Sequence, residues 1–274
     1  MVVITHGIFT GFRSFRDAWE LTFEKFANNI AKGNSPTSLI LMKTNSAKPP
    51  GYEAKPAGYF ELARPEMLPF VPPGCRRVLD VGCGQGNFGG LLKITRNIEV
   101  WGLEPVAAAA AEAAKKLDRV IEGVFDDAAG LPAASFDAII FNDVLEHLVD
   151  AKAALHLSRR LLQPGGAVVA SIPNIRHFPT FWELAVRGEW NYADSGILDR
   201  THLRFFTRKS IPVFFADGGF KVEQIEGINP HLGGTGRKWG LFKILNGLTF
   251  GAIEDMRYLQ FAIVARPLEN AAEQ

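Results

Sequence analysis

Between residues 76 and 172 the hydrophobic pattern keeps changing period. Short apolar runs at Val78–Val81, Ile98–Leu103, Arg119–Phe125, Phe136–Phe141 and Ala167–Ile172 have the length and composition of buried strands. The stretches between them suit helices: one resumes its apolar run at Leu91-Leu92, a second is the alanine-rich Val106–Leu117, and a third spans Val144–Leu162. A helix at Arg208–Ala216, a strand at Phe220–Ile228, a helix at Trp239–Leu248 and a strand at Tyr258–Arg266 follow. This alternation predicts an α/β fold: a doubly wound, mostly parallel seven-stranded sheet with helices on both faces. The last strand lies too close behind its predecessor for an ordinary crossover and is expected to run antiparallel.

The two ends of this pattern look different. Phe12, Phe15, Trp19, Phe23, Phe26 and Ile30 recur at three- and four-residue spacing, the stripe of an amphipathic helix. That helix is expected to pack on the domain or on a second copy of the chain, making a homodimer; the alternative is a lid over the site. Gly33–Gly51, rich in Lys, Pro, Ser and Asn, reads as a linker. The expected organisation is therefore an N-terminal helix and linker at 1–55, a domain at 56–266 and a tail at 267–274. Within the domain, residues 173–207 break the rhythm with aromatics, Arg and His, as an insert on the substrate side.

Composition narrows the setting. A net charge of +1 gives no pull toward nucleic acid or an anionic membrane surface. No apolar run is long enough to span a bilayer, and the N-terminus lacks the pattern of a signal peptide. Cys75 and Cys83 flank one strand, about 20 Å or more apart if it is extended, too far to bridge. A reduced, cytoplasmic location is the expectation.

The chemistry concentrates at Arg76–Gly90, R-R-V-L-D-V-G-C-G-Q-G-N-F-G-G. A strand passing through Gly82, Gly84 and Gly86 into a helix lets a ligand press against backbone where a Cβ would clash. Gly84-x-Gly86-x-x-Gly89, with Glu104 about 20 residues on, fits a dinucleotide fingerprint. The frame D-x-G-x-G-x-G, which includes Asp80, fits without adjustment. It resembles motif I of the class I S-adenosylmethionine (SAM) methyltransferases, and the resemblance extends along roughly residues 56–266. After D-V-G-C-G-Q-G come an acid ending the second strand, then F-D-A-I-I-F-N-D-V-L-E-H-L, then L-L-Q-P-G-G and a terminal strand pair. An NAD-dependent oxidoreductase remains the remote alternative.

The resemblance implies a Rossmann-like fold, SAM as cofactor and S-adenosylhomocysteine as product. It implies a SAM site made of the Gly82, Cys83, Gly84 and Gly86 loop, with Asp80 on the methionine ammonium. Glu104-Pro105 would serve the ribose hydroxyls, Phe125 (through its backbone) and Asp126 the adenine, and Asn142 the end of the fourth strand. Tyr59 and Arg64 match an aromatic and an Arg that in such enzymes close over the methionine carboxylate. His147 or His202 would be the general base for a hydroxyl acceptor.

Asp143 and Glu146 are spaced as a helix N-cap and its third residue, so a capping box is one reading. D-x-x-E-H also resembles ubiquinone-biosynthesis and small-RNA 2′-O-methyltransferases, members of which hold a divalent metal there. Asp143, Glu146, His147 and His202 would then form the metal set, although no metal is expected here. In the insert, Trp182, Trp190, Tyr192 and Phe205 are candidates to stack on a ring, and Arg176, Arg200 and Arg204 to hold phosphate or carboxylate. The segment L-D-R-T-H-L-R-F-F-T is similar to bacterial methyltransferases of glycan assembly. The expected activity is O-methylation of a sugar or other hydroxylated small molecule, without a nucleic-acid partner. N- or C-methylation and a non-catalytic SAM-binding scaffold are the alternatives.

Overall fold

The computed structural model describes residues 60–230 and 237–269. The expected N-terminal helix, the dimer contact through it, the linker, Tyr59 and the last five residues lie outside them. Seven strands form one sheet in the order β3-β2-β1-β4-β5-β7-β6. They are β1 (Arg77–Val81), β2 (Glu99–Glu104), β3 (Arg119–Glu122), β4 (Phe136–Asn142), β5 (Leu162–Pro173), β6 (Phe220–Pro230) and β7 (Tyr258–Pro267). β1 to β5 pair in parallel, while β7 runs antiparallel to both β5 and β6. The doubly wound sheet with its antiparallel last strand is the expected one.

Successive strand side chains point to opposite faces, so a strand buried on both sides is apolar throughout. Leu79, Val81, Ile139 and Phe141 enter one core with Leu155 and Phe215. Val78, Ala138 and Ile140 enter the other, with Phe88, Leu92 and Met67. The first face is covered by helices α3 (Ala151–Leu161) and α5 (Ser210–Asp217), the second by α1 (Asn87–Arg96) and α2 (Ala107–Ala113). Helix α4 (Phe178–Trp182), with the π-turn Glu183–Arg187, belongs to the insert, and α6 (Arg237–Leu248) joins β6 to β7. Phe178 packs edge-on against Phe242 of α6, 6.2 Å between ring centroids, so these two helices share a small core of their own.

Three boundaries differ from the sequence reading, each for a local reason. The helix expected from Val144 begins at Ala151, because Asp150 supplies the cap: its carboxylate accepts the Ala153 N–H at 2.8 Å. Residues 144–150 are turn instead, and Asp143 has a left-handed backbone, φ 55°. The capping box of Asp143 and Glu146 is therefore not formed. Pro164-Gly165-Gly166 is a bulge inside β5, which pairs through Leu162 with Phe136 and resumes at Ala167 with Ala138. β3 stops at Glu122, and Phe125 turns into the core against Phe141, ring centroids 5.4 Å apart.

Candidate active site

In a doubly wound sheet the crevice opens where strand order reverses, here between the C-terminal ends of β1 and β4. A cavity of about 410 Å³ lies at that place. One side is floored by the glycine loop, the other walled by the insert. Gly82 and Gly84 line it with φ of +68° and +53°. A Cβ on Gly84 would sit 2.8 Å from the Phe60 carbonyl, and one on Gly82 2.8 Å from Val144. Gly86 starts α1 with φ +75° and presses on Ala113, so its place is in packing rather than at the cavity wall.

Glu104 ends β2 and is 1% exposed. Its Oε2 accepts the Gly84 N–H at 2.9 Å and its Oε1 the Val106 N–H at 3.0 Å, so the acid braces the loop while facing the cavity. Asp80, at the penultimate position of β1, is 2% exposed, and its Oδ2 has no hydrogen-bond partner among the described residues. Burial, then the nearby Glu104 charge, push its carboxyl up to about 8. The Asn142 side-chain amide, at the end of β4, is also buried, with no partner on either N or O among the described residues. Cys83 lines the cavity beside the loop glycines; burial pushes its thiol up, with help from Asp80 and Glu104, and its Sγ packs over Gly102.

The opposite wall holds the expected bases. Glu146, His147 and His202 are 1%, 3% and 8% exposed, and one ligand atom from each lies within 4.8 Å of the other two. His147 Nδ1 faces the Thr201 carbonyl at 3.2 Å, and His202 Nδ1 the Ile197 carbonyl at 2.9 Å. A carbonyl only accepts, so each contact favours the tautomer with its proton on Nδ1 and its lone pair on Nε2. His202 Nε2 is 3.9 Å from Glu146 Oε1, and neither Glu146 oxygen has a hydrogen-bond partner among the described residues. Burial raises the Glu146 carboxyl to about 8, against the pull of Arg64.

Asp143, expected beside these three, is occupied elsewhere. Its carboxylate pairs with Arg64 and accepts from Ser171 Oγ at 3.1 Å and Gln260 Nε2 at 2.8 Å. Arg64 lines the cavity with its guanidinium also bound to Glu66 at 2.8 Å and Gln260 at 3.2 Å. Sequence reasoning missed Ser171, Gln260, Glu66 and Asn229, since they come from β5, β7, the 3-10 turn Pro65–Phe70 and β6, and no local pattern links them. It also missed Asp199 and Thr201, which the string L-D-R-T-H contains.

Other candidates are used structurally. Asp126 caps a short 3-10 turn through the Ala128 N–H at 2.9 Å, and neither it, Phe125 nor Pro105 lines the cavity. Arg176 is bound by Asp255 at 2.9 Å, Arg200 by Asp194 at 2.9 Å, and Arg204 by the Leu148 and Val149 carbonyls. None of the three lines the cavity, and neither do Trp182, Trp190, Tyr192 or Phe205. Trp190 packs instead on Phe205, 5.2 Å between centroids.

A sheet of this order, with a glycine turn after β1, an acid ending β2 and a cavity over both, is the architecture expected of a class I SAM-dependent methyltransferase, and comparisons with known proteins bear that class out. The chain belongs to the family described as "Methyltransferase domain", whose model matches residues 40–225. Among curated proteins it is similar to the ubiquinone biosynthesis O-methyltransferase of Xanthomonas axonopodis pv. citri (strain 306). They are 28% identical over 165 residues, 58% of this chain and 68% of that protein. The protein of that name from Alkalilimnicola ehrlichii is 36% identical over 109 residues, but the match spans only 36% of this chain and 42% of the relative. Among solved structures, a SAM-dependent methyltransferase from Archaeoglobus fulgidus shares the fold, with a TM-score of 0.54 at 21% identity over 75% of this chain and 93% of that one.

Proposed function

We propose that this enzyme O-methylates a hydroxylated small molecule, a catechol-like or sugar diol. One observation carries the reading: Glu146, His147 and His202 converge, buried, on the same cavity that Asp80, Asn142 and Glu104 open into. The names of the relatives, O-methyltransferases of ubiquinone biosynthesis, support a hydroxyl acceptor.

The chain's own groups fit SAM. Asp80 Oδ2 and the Asn142 amide are buried polar atoms lacking partners among the described residues, and the carboxylate of Asp80 suits a cationic ammonium. Glu104 brings two carboxylate oxygens to the cavity, the pair of acceptors that two ribose hydroxyls call for. Arg64, Asp126 and the backbone of Phe125 are proposed at the methionine carboxylate and adenine only as the family resemblance has them. When bound, SAM supplies an activated methyl group on its sulfonium. The chain must hold donor and acceptor in line, exclude water and take the acceptor proton. His147 Nε2, a lone-pair nitrogen in a buried wall, is the proposed base, with His202 beside it, ring centroids 4.6 Å apart.

The same geometry favours a second version, in which a divalent cation is held by Glu146, His147 and His202. Both imidazoles donate Nδ1–H to a backbone carbonyl, the arrangement behind most ligating histidines, and a carboxylate without a hydrogen-bond partner completes the set. Such a cation would lower the pKa of a bound hydroxyl, and Asp143 would stand outside its ligands because Arg64 holds it.

The test is methyl transfer from SAM to a panel of catechols, sugar diols and amines, run with and without chelator. Turnover of a diol, lost in His147→Ala while SAM still binds, supports the reading. Turnover of amines alone would sink it. Activity stopped by chelator and restored by a divalent ion selects the cation version; chelator-insensitive activity selects the plain base.

A further inference from the structure

Two insert residues, Asp199 and Thr201, meet His147 on its Nδ1 side, and Asp199 also lines the cavity. Asp199 is 1% exposed and Thr201 8%. Asp199 Oδ1 accepts the Thr201 N–H at 2.9 Å and faces Thr201 Oγ1 at 2.7 Å. An oxygen that already accepts an amide is the acceptor, so the hydroxyl is the donor and its proton points at Asp199. The lone pairs of Oγ1 are thereby turned to His147 Nδ1, 3.1 Å away. With the Thr201 carbonyl at 3.2 Å, Nδ1 meets two acceptors and must carry the ring proton.

We propose that Asp199 and Thr201 are positioning residues that lock His147 in the Nδ1–H tautomer. Nε2 is then the ring nitrogen that carries the lone pair. This deepens the proposed function, since it rests on His147 being the working group there. The ordinary alternative is that Asp199 merely closes a turn through the Thr201 N–H. Such a turn would hold its shape without the hydroxyl. The surrounding loop supplies the rigidity: the Asp199 N–H bonds to the Gly196 carbonyl at 3.1 Å and the His202 N–H to the Asp199 carbonyl at 3.0 Å. At His202 the Ile197 carbonyl, at 2.9 Å from Nδ1, favours the same tautomer. One short loop thus aims both imidazoles.

The test reads the tautomer directly, by ¹⁵N NMR of the histidine rings in the full chain, with His147→Ala identifying the His147 signals. The wild type should show Nδ1 protonated and Nε2 bare. Thr201→Val, close in volume but without the hydroxyl, should convert His147 to a mixture of tautomers, and Thr201→Ser should restore one. On catechol as acceptor, Thr201→Val should lower kcat about 10- to 100-fold while leaving SAM affinity unchanged. A wild-type ring protonated at Nε2, or a Thr201→Val spectrum like the wild type's, overturns the proposal. If Thr201→Val does not fold, Asp199→Ala gives the same reading, because it frees the hydroxyl to donate to Nδ1. A His147→Ala enzyme with full turnover would defeat the proposed function while leaving the tautomer result standing.

Discussion

Glu104 shows how one residue can serve fold and ligand together. Its two oxygens fasten the glycine loop to the start of the next turn, through Gly84 and Val106, and the same carboxylate faces the cavity. Charge-assisted bonds of this kind contribute roughly 1.5–3 kcal/mol each. Glu104→Ala should therefore weaken SAM binding by about tenfold or more in calorimetric titration. Because Gly84 also loses its acceptor, the melting temperature should fall with the affinity. Unchanged affinity would take Glu104 off the ribose. His147→Ala, by contrast, should leave SAM binding alone, since its ring belongs to the other wall.

At the scale of elements, the segment Phe60–Phe70 is tied down from two sides. The Gln85 N–H bonds to the Phe60 carbonyl at 3.0 Å and Asn87 Nδ2 to the Glu61 carbonyl at 2.8 Å, which fixes it to the glycine loop. Arg64 fixes it to β4 and β7 through Asp143 and Gln260. Arg64 keeps Glu66 as an ion-pair partner, so Asp143→Ala, which removes one acceptor from a partly buried network, should cost about 1–3 kcal/mol in urea denaturation. The double variant Asp143→Ala with Arg64→Met should recover most of it; a double variant no more stable than the single would mean the pair is not the latch. This network also marks where the sequence stops being readable. The strands and the glycine turn were legible because burial on both faces writes continuous apolar runs, and a left-handed turn writes glycine. Asp143 was not, because Gln260 lies 117 positions away and Arg64 79, and nothing nearby shows that its carboxylate is already taken. The insert arginines misled for the same reason: Arg176 spends its charge on Asp255, 79 positions on.

Across the whole molecule, two buried acids set how stability follows pH. Asp80 and Glu146 are each raised by burial from ordinary values of 3.8 and 4.5 to about 8. Between those limits the folded chain keeps two protons that the unfolded chain has released. Unfolding then sheds protons, so stability falls as pH rises, by up to about 1.4 kcal/mol per pH unit for each group. The contribution is intact below about pH 4 and lost by the time pH passes about 8. The ligand-free enzyme should accordingly melt lower at pH 8 than at pH 6, and Asp80→Asn, which has no charge to bury, should flatten that slope. A cation over Asp80 reverses the sign, since it favours the ionised form and drives proton release on binding. SAM should bind more tightly as pH rises from 6 to about 7.5, before its own α-amino group begins to lose its proton. Melting-temperature shifts by saturating SAM, measured across that range, should grow with pH and become pH-independent in Asp80→Asn. A shift that stays constant in the wild type would mean that Asp80 is already ionised without ligand, and that the cavity is wetter than its burial indicates.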